Sequence, residues 1–305
     1  MSDVAQGERI KKAVREAYGG IAQQFEEAPQ RASCCGPRQR TSCCGPAKAG
    51  PEALVDEPGH ASRFYSGEEL AGLPETVTGA SLGCGNPIII AGLQPGEVVL
   101  DLGSGGGIDC FLAARLVGPE GRVIGLDMTP DMINLARRNA QKVGVGNVDF
   151  RFGEMEDMPL AEGSVDVIIS NCVINLSPDK DAVFEEAYRV LRPGGRMSIS
   201  DIVVDGDLPQ ALRSRLDAWA GCIAGALDED VYLGKIRAAG FERIEVVSRD
   251  YAKVEAEEAR RLLAADDGGA IGAEVAGELL AEAGVKPSQL AQRIASIKVR
   301  AYKPG

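Results

Sequence analysis

Residues 98–107 read Val98-Val99-Leu100-Asp101-Leu102-Gly103-Ser104-Gly105-Gly106-Gly107, an apolar run that ends in an acid and opens into a glycine-rich turn. An apolar run of this length bounded by glycines predicts a buried strand and a tight turn into a helix. Outward from it the patterns alternate: a helix over 108–117, a strand over 123–126, a helix over 130–143, and strands over 148–152, 165–170 and 197–204. A helix over 179–191 is expected to be stopped by Pro193-Gly194-Gly195. Such alternation implies an α/β fold with a Rossmann-like, mostly parallel sheet, helices on both faces and a ligand site at the carboxyl ends of the strands. Beyond residue 205 come helical stretches, a strand over 241–247, an Ala/Glu-rich helical region and a last strand over 294–302, a smaller α+β C-terminal region.

The turn narrows the ligand. A dinucleotide fingerprint needs Gly or Ala at position 108, where the chain has Ile108, and the only Gly-Lys pair, Gly234-Lys235, is followed by Ile236 rather than the Ser or Thr of a phosphate-binding loop. Dehydrogenase and nucleotide-hydrolase chemistry lose support. The glycines still let a ligand approach the backbone, and Asp127, at the end of the second strand, suits both hydroxyls of a ribose. Asp101 suits a cationic group and would repel a pyrophosphate. A nucleoside carrying positive charge, S-adenosylmethionine, satisfies both ends.

Composition supports the same direction. The 305 residues carry 33 Lys+Arg against 45 Asp+Glu, a net charge of −12, so nucleic acid and anionic membranes are poor partners. The start of the chain has no apolar secretory segment, and no apolar run approaches the roughly 18 residues that span a bilayer; a cytoplasmic protein is expected. His60 is the only histidine, which leaves little for serine-protease triads or multi-His metal sites. Soft-ligand chemistry therefore falls to the eight cysteines. Ile10, Ala13, Val14, Ala17, Tyr18 and Ile21 sit at helical spacing and predict an N-terminal helix, with Gly19-Gly20 weakening its second half. A Pro/Gly/Ser/Ala-rich stretch over 28–59 follows, the composition of a flexible linker, in which Ser33-Cys34-Cys35-Gly36-Pro37 is repeated as Ser42-Cys43-Cys44-Gly45-Pro46.

The stretch 98–204 resembles the class I S-adenosylmethionine-dependent methyltransferases, with Pro193-Gly194-Gly195 similar to their motif before the fifth strand. Within them, residues 64–241 resemble the arsenite methyltransferases. The resemblance is carried by Ser81-Leu82-Gly83-Cys84-Gly85-Asn86-Pro87, by Ser170-Asn171-Cys172-Val173-Ile174-Asn175-Leu176-Ser177-Pro178 and by Ala220-Gly221-Cys222. It implies that Asp101, Gly103, Ser104 and Gly105 line the methionine and ribose side of the cofactor and that Asp127 binds the ribose hydroxyls. It further implies that Met128 flanks adenine, Glu154 and Met155 meet its edge, Asn171 faces the methionine portion and Tyr65 covers that end. On this reading 1–63 is an N-terminal helix and Cys-rich segment, 64–205 the cofactor-binding core, 206–250 substrate-side helices and a strand completing it, and 251–305 a C-terminal region.

Cysteines suit such a substrate. Trivalent arsenic is thiophilic, has three bonds and a lone pair, and is presented by thiolates as a pyramidal nucleophile. Holding that lone pair in line with an activated methyl turns a chance encounter into an oriented one and needs no general base. Cys172 and Cys222 are the first expected ligands, and Cys84 is a third ligand or an oxidation relay. The pairs Cys34/Cys35 and Cys43/Cys44 suit capture of arsenite or a disulfide with Cys84 during turnover. Cys110 reads as packing. The expected activity is methylation of arsenite to methylated arsenicals, a detoxification, with electrons from a dithiol such as thioredoxin or glutathione. A carbon methyltransferase acting on a quinone or sterol-like acceptor, and a non-catalytic metalloid-binding thiol protein, remain alternatives.

Overall fold

The computed structural model describes residues 3–25, 60–208, 224–251 and 292–305. The helix Asp3–Gln24 (α1) comes first, followed by a 3-10 turn His60–Arg63 and three single-turn helices, Gly67–Leu70 (α2), Glu75–Thr78 (α3) and Ile88–Ala91 (α4). The alternating series is Val98–Leu102 (β1), Ile108–Val117 (α5), Arg122–Asp127 (β2), Pro130–Val143 (α6), Val148–Phe152 (β3) and Val165–Asn171 (β4). Then come a 3-10 turn Ile174–Leu176, Lys180–Val190 (α7), Leu191–Val204 (β5), Glu229–Ala238 (α8), Glu242–Tyr251 (β6) and Ile294–Tyr302 (β7). None of the described helices is long and apolar enough to cross a membrane.

The seven strands form one sheet in the order β3-β2-β1-β4-β5-β7-β6. β1 to β5 are parallel, and β7 runs antiparallel between β5 and β6. Successive side chains of a strand point to opposite faces, so the central strands feed two cores. Leu100, Leu102, Ile124, Leu126 and Ile168 pack against Phe184 of α7 and Tyr232 and Ile236 of α8. Val99, Val123, Val167 and Ile169 pack on the other face, against Phe111 of α5 and Ile133 of α6. A sheet covered on both sides explains why β1 and β4 read as apolar runs and not as alternating ones. The chain leaves β1 towards β2 and β3, then returns to place β4 on the other side of β1, opening a crevice at their carboxyl ends.

Two boundaries differ from the expectation. Pro193-Gly194-Gly195 does not follow the helix as a separate stop: α7 already ends at Val190, and the extended backbone of Leu191 (φ −68, ψ 137) starts β5. The motif is absorbed as an irregularity of that strand, pairing passing from Val165–Leu191 to Val167–Arg196. Second, α1 runs unbroken through Gly19-Gly20, because burial of Ile10 and Val14 against Leu176, and of Ala22 against Met132 and Leu135, outweighs the low helix propensity of glycine. The Cys-rich stretch, the helical stretches soon after residue 205 and the Ala/Glu-rich region fall largely outside the described residues.

Phe184 is fully buried and meets the Tyr232 ring edge-on at 5.5 Å between centroids. Phe184→Ala is expected to cost about 3–5 kcal/mol, read as a lower urea midpoint with an unchanged denaturant slope; a loss under 1 kcal/mol would mean that α7 does not anchor this core.

Candidate active site

A cleft of about 860 Å³, open to solvent, lies at the carboxyl ends of β1, β2 and β4. The strand ends supply Asp101, Asp127 and Asn171, the glycine turn supplies Gly103, Ser104 and Gly105, and Met128, Met155 and Cys172 complete much of the wall. Gly103 has φ +67, and a Cβ there would stand 2.2 Å from a Val173 methyl, so the turn needs glycine both for its backbone and for the close passage of the segment after β4. Asp127 accepts the backbone N–H of Gly105 at 2.9 Å and of Thr129 at 2.8 Å, which fixes its carboxylate on the rim.

Three carboxylates share this small volume, and the third, Asp109, received no role from the sequence. It sits in the first turn of α5, 4% exposed. Its two oxygens accept from Tyr65 Oη at 2.8 Å and Asn171 Nδ2 at 3.1 Å. Asp101 accepts from the Cys110 thiol at 3.2 Å, so Cys110, fully buried as expected, also supports a cleft carboxylate. Burial, reinforced by the neighbouring Asp109 and Asp127 charges, pushes Asp101 well above the usual carboxylate range, and burial raises Asp109 to about 6. Burial also lifts Asp127, against the two backbone N–H groups it accepts. Asn171 Nδ2 also reaches Tyr65 Oη at 2.9 Å and Gly85 O at 2.8 Å, whereas its buried Oδ1 has no partner. Ser104 Oγ is buried and unpartnered on the same wall.

Buried anions around an unpartnered acceptor describe a site for a cation with hydrogen-bond donors. An ammonium-bearing, sulfonium-bearing nucleoside fits this set.

Two expected cofactor residues stand elsewhere. Glu154 is absent from the cleft wall because Lys11 Nζ at 2.5 Å and Arg15 Nη2 at 2.6 Å of α1 hold its carboxylate. Burial pushes it up, but these cations more than offset that and lower its pKa. Tyr65 is not on the wall either: it lies behind Asp109, 3% exposed, and burial keeps its phenol protonated and donating. α1 in turn brings Val14 and Tyr18 into the wall. Lys11, Val14, Arg15 and Tyr18 lie at i, i+3, i+4 and i+7, one face of a helix, a spacing that marks them as a docking stripe.

Beside the cofactor-side cleft, β4 is followed by Cys172, which has φ +61, an uncommon conformation for a residue other than glycine, and donates its N–H to Ser200 O at 2.7 Å. Cys84 lies on the turn before α4, its thiol 3.9 Å from the same carbonyl. The flanking glycines let that turn press onto the strand ends: a Cβ on Gly83 would stand 2.3 Å from Asn171, and one on Gly85 would stand 1.9 Å from Ser200. The Cys84 and Cys172 sulfurs and an Asp201 oxygen lie within 4.8 Å of one another. Asp201 had no role in the sequence reading; it is fully buried and raised to about 6 by that burial. Cys222, Cys34, Cys35, Cys43 and Cys44 lie outside the described residues.

Comparison with known proteins agrees with this geometry. The methyltransferase-domain family matches residues 93–264. A curated arsenite methyltransferase of Halobacterium salinarum is 43% identical over 243 residues, covering 80% of this chain and 60% of its own. One of Aquipseudomonas alcaligenes is 46% identical over 166 residues, 52% of this chain and 47% of its own. The chain thus spans about half to three-fifths of the length of these curated relatives. The crystal structure of an arsenic(III) S-adenosylmethionine methyltransferase from Chlamydomonas reinhardtii superposes with a TM-score of 0.62 at 37% identity, covering 81% of this chain and 75% of that one. The chain belongs to the class I S-adenosylmethionine-dependent methyltransferases and, among them, to the arsenite methyltransferase family. S-adenosylmethionine is the methyl donor of that family.

A raised folded-state carboxyl pKa means stability that is complete below about 3.8 and is lost as pH rises through the folded value, here about 6 for Asp109. In cofactor-free protein, Asp109→Asn is therefore expected to change the urea midpoint little at pH 3.5 and to raise it at pH 7.5 relative to wild type. Equal midpoint differences at the two pH values would show that Asp109 ionises without penalty.

Proposed function

We propose that this chain transfers methyl groups from S-adenosylmethionine to trivalent arsenic held by protein thiols. The observation that carries the reading is the convergence of Cys84 and Cys172 beside a cleft whose opposite wall is built for a cationic nucleoside. The cofactor would supply an electrophilic methyl group on a positively charged sulfur.

The chain's own residues have separable tasks. Asp127, held by two backbone N–H groups, accepts the ribose hydroxyls. Asp101, Asp109 and the unpartnered Oδ1 of Asn171 receive the cationic amino-acid end, and Met128 and Met155 give the base an apolar, polarisable surface. Tyr65 and Cys110 hold the carboxylates, and Glu154 acts from outside by seating α1 over the cleft. On the substrate side, each arsenic–hydroxide bond is exchanged for an arsenic–sulfur bond, the thiol proton leaving with the hydroxide as water. Cys84 and Cys172, with Cys222 as third ligand, then leave the arsenic lone pair as its open valence. No histidine is needed, because the nucleophile carries no proton to remove.

Methyl transfer formally oxidises arsenic, so each round draws two electrons from thiols. The pairs Cys34/Cys35 and Cys43/Cys44 or Cys84 are the internal source, with thioredoxin or glutathione restoring them. Arsenite is essentially uncharged near neutrality, so a protein of net charge −12 does not repel it; a cytoplasmic setting would keep these thiols reduced.

Arsenic speciation after incubation of the reduced protein with arsenite and S-adenosylmethionine tests this. Methylated arsenicals are expected, with Cys172→Ser and Cys222→Ser lowering the rate by about tenfold or more. Asp127→Ala should instead weaken cofactor affinity, by the ~1.5–3 kcal/mol of a hydrogen-bonded charge. Consumption of cofactor on a quinone-like acceptor with arsenic untouched would refute the reading.

A further inference from the structure

Asp201 is the buried charge that the methylation chemistry leaves unused. It lies at 0% exposure near the carboxyl end of β5, with one oxygen accepting from Tyr232 Oη at 2.9 Å and the other from Asn175 Nδ2 at 2.9 Å and Ile202 N at 2.9 Å. These partners come from α8, the turn after β4 and its own strand, so the carboxylate is fixed from three sides. A carboxylate offers about four lone-pair sites, and the three accepted bonds leave one on the oxygen that faces Tyr232. The Cys84 and Cys172 sulfurs lie beside it, all three ligand atoms within 4.8 Å of one another. In a tetrahedral site two metal–sulfur bonds of about 2.3 Å place the sulfurs about 3.8 Å apart, inside that limit. Hydrogen bonds that pre-orient a ligand are the second half of a metal site, and Tyr232, Asn175 and Ile202 N supply them.

The geometry points to a site for one thiophilic divalent cation, of the Zn²⁺ or Cd²⁺ class, bound by Cys84 Sγ, Cys172 Sγ and an Asp201 oxygen. Two sulfurs and one oxygen suit such an ion and not Mg²⁺ or Ca²⁺, which take oxygen ligands. Cys172 borders the cleft, so the fourth position opens towards solvent, where water completes a tetrahedron. Binding releases the two thiol protons to solvent and involves no electron transfer. Cation binding stands independently of the arsenic reading; only its consequence rests on that reading. Because the ion uses two of the proposed arsenic ligands, it competes with arsenite and leaves the S-adenosylmethionine carboxylates untouched. Asp201 takes the third ligand position, which separates this site from the three-thiol arsenic site.

The test uses the reduced full chain with Cys34, Cys35, Cys43 and Cys44 replaced by serine, titrated with Co²⁺ as a spectroscopic stand-in. One equivalent is expected to bind with a thiolate-to-cobalt charge-transfer band. Cys84→Ser or Cys172→Ser should abolish the band, and Asp201→Asn or Tyr232→Phe should weaken binding by about tenfold or more. Zn²⁺ or Cd²⁺ should displace the cobalt. A thermal melt of each variant separates lost ligation from lost fold; Tyr232→Phe, which keeps the ring in the core, serves if Asp201→Asn unfolds. Absence of the band, or full affinity in folded Asp201→Asn or Tyr232→Phe, would overturn the proposal. Cobalt binding by protein that never methylates arsenic would leave the cation site standing and remove the arsenic reading.

Discussion

Negative charge gathered in a buried place is the constraint around which this molecule is arranged. Asp101, Asp109 and Asp127 converge at the open end of the sheet, the first two almost wholly out of water. Like charges in low dielectric repel and lose hydration, so they persist only where donors are aimed at them or where a cation is to arrive. The donors are a thiol, a phenol, an amide and two backbone N–H groups, drawn from five segments of the chain. None carries a positive charge. The cleft is thus left electrostatically incomplete: burial raises the pKa of its carboxyls, and a cationic ligand would favour their ionised form.

The same fact explains why basic residues stay outside. Lys11 and Arg15 reach towards the cleft but stop at Glu154, with Glu156 3.3 Å from Lys11. A cation inside would satisfy Asp101 and Asp109 and compete with the ligand. With its cations spent on Glu154 and Glu156, α1 contributes only Val14 and Tyr18 to the wall. An apolar cover of this kind raises the strength of each polar contact beneath it by excluding water.

Much of this was legible in residue order. The strand and helix series over 98–152 matched because apolar period, helix caps and glycine turns agree at every step there, as in α6, which begins at Pro130 and is closed by Gly144 in a left-handed conformation. What stayed hidden depends on contacts distant in sequence. Nothing local distinguishes Asp109, in the first turn of a helix where any acid would suit the dipole, from a surface residue; its role appears only when Tyr65 and Asn171 meet it. Asp201 reads as an unremarkable polar residue in a strand until Tyr232, 31 positions later, turns to it. Glu154 is the converse case: the resemblance implies a ligand contact, and the Arg15 partner that the structure gives it comes from an N-terminal helix 139 residues upstream.

The end of β4 ties the two halves of the site together. Asn171 hydrogen-bonds to the carboxylate side, Cys172 turns into a left-handed backbone conformation, and Val173 covers Gly103 in the cofactor turn. Three consecutive residues thus touch the cationic pocket, the thiol cluster and the glycine loop. An alternating strand sends neighbours to opposite faces; the positive φ at Cys172 breaks that alternation where a polar amide and a thiol have to serve adjoining regions of one cleft. Strain of this kind in a residue other than glycine costs on the order of 1 kcal/mol and is retained here by the Cys172 N–H bond to Ser200 O. The same carbonyl also receives the Cys84 thiol, so one backbone atom of β5 anchors the Cys172 backbone and the Cys84 side chain together. Both cysteines are thus tied to the sheet, and the proposed transfer, in which an electron pair has to be aimed at a methyl group, depends on such positioning.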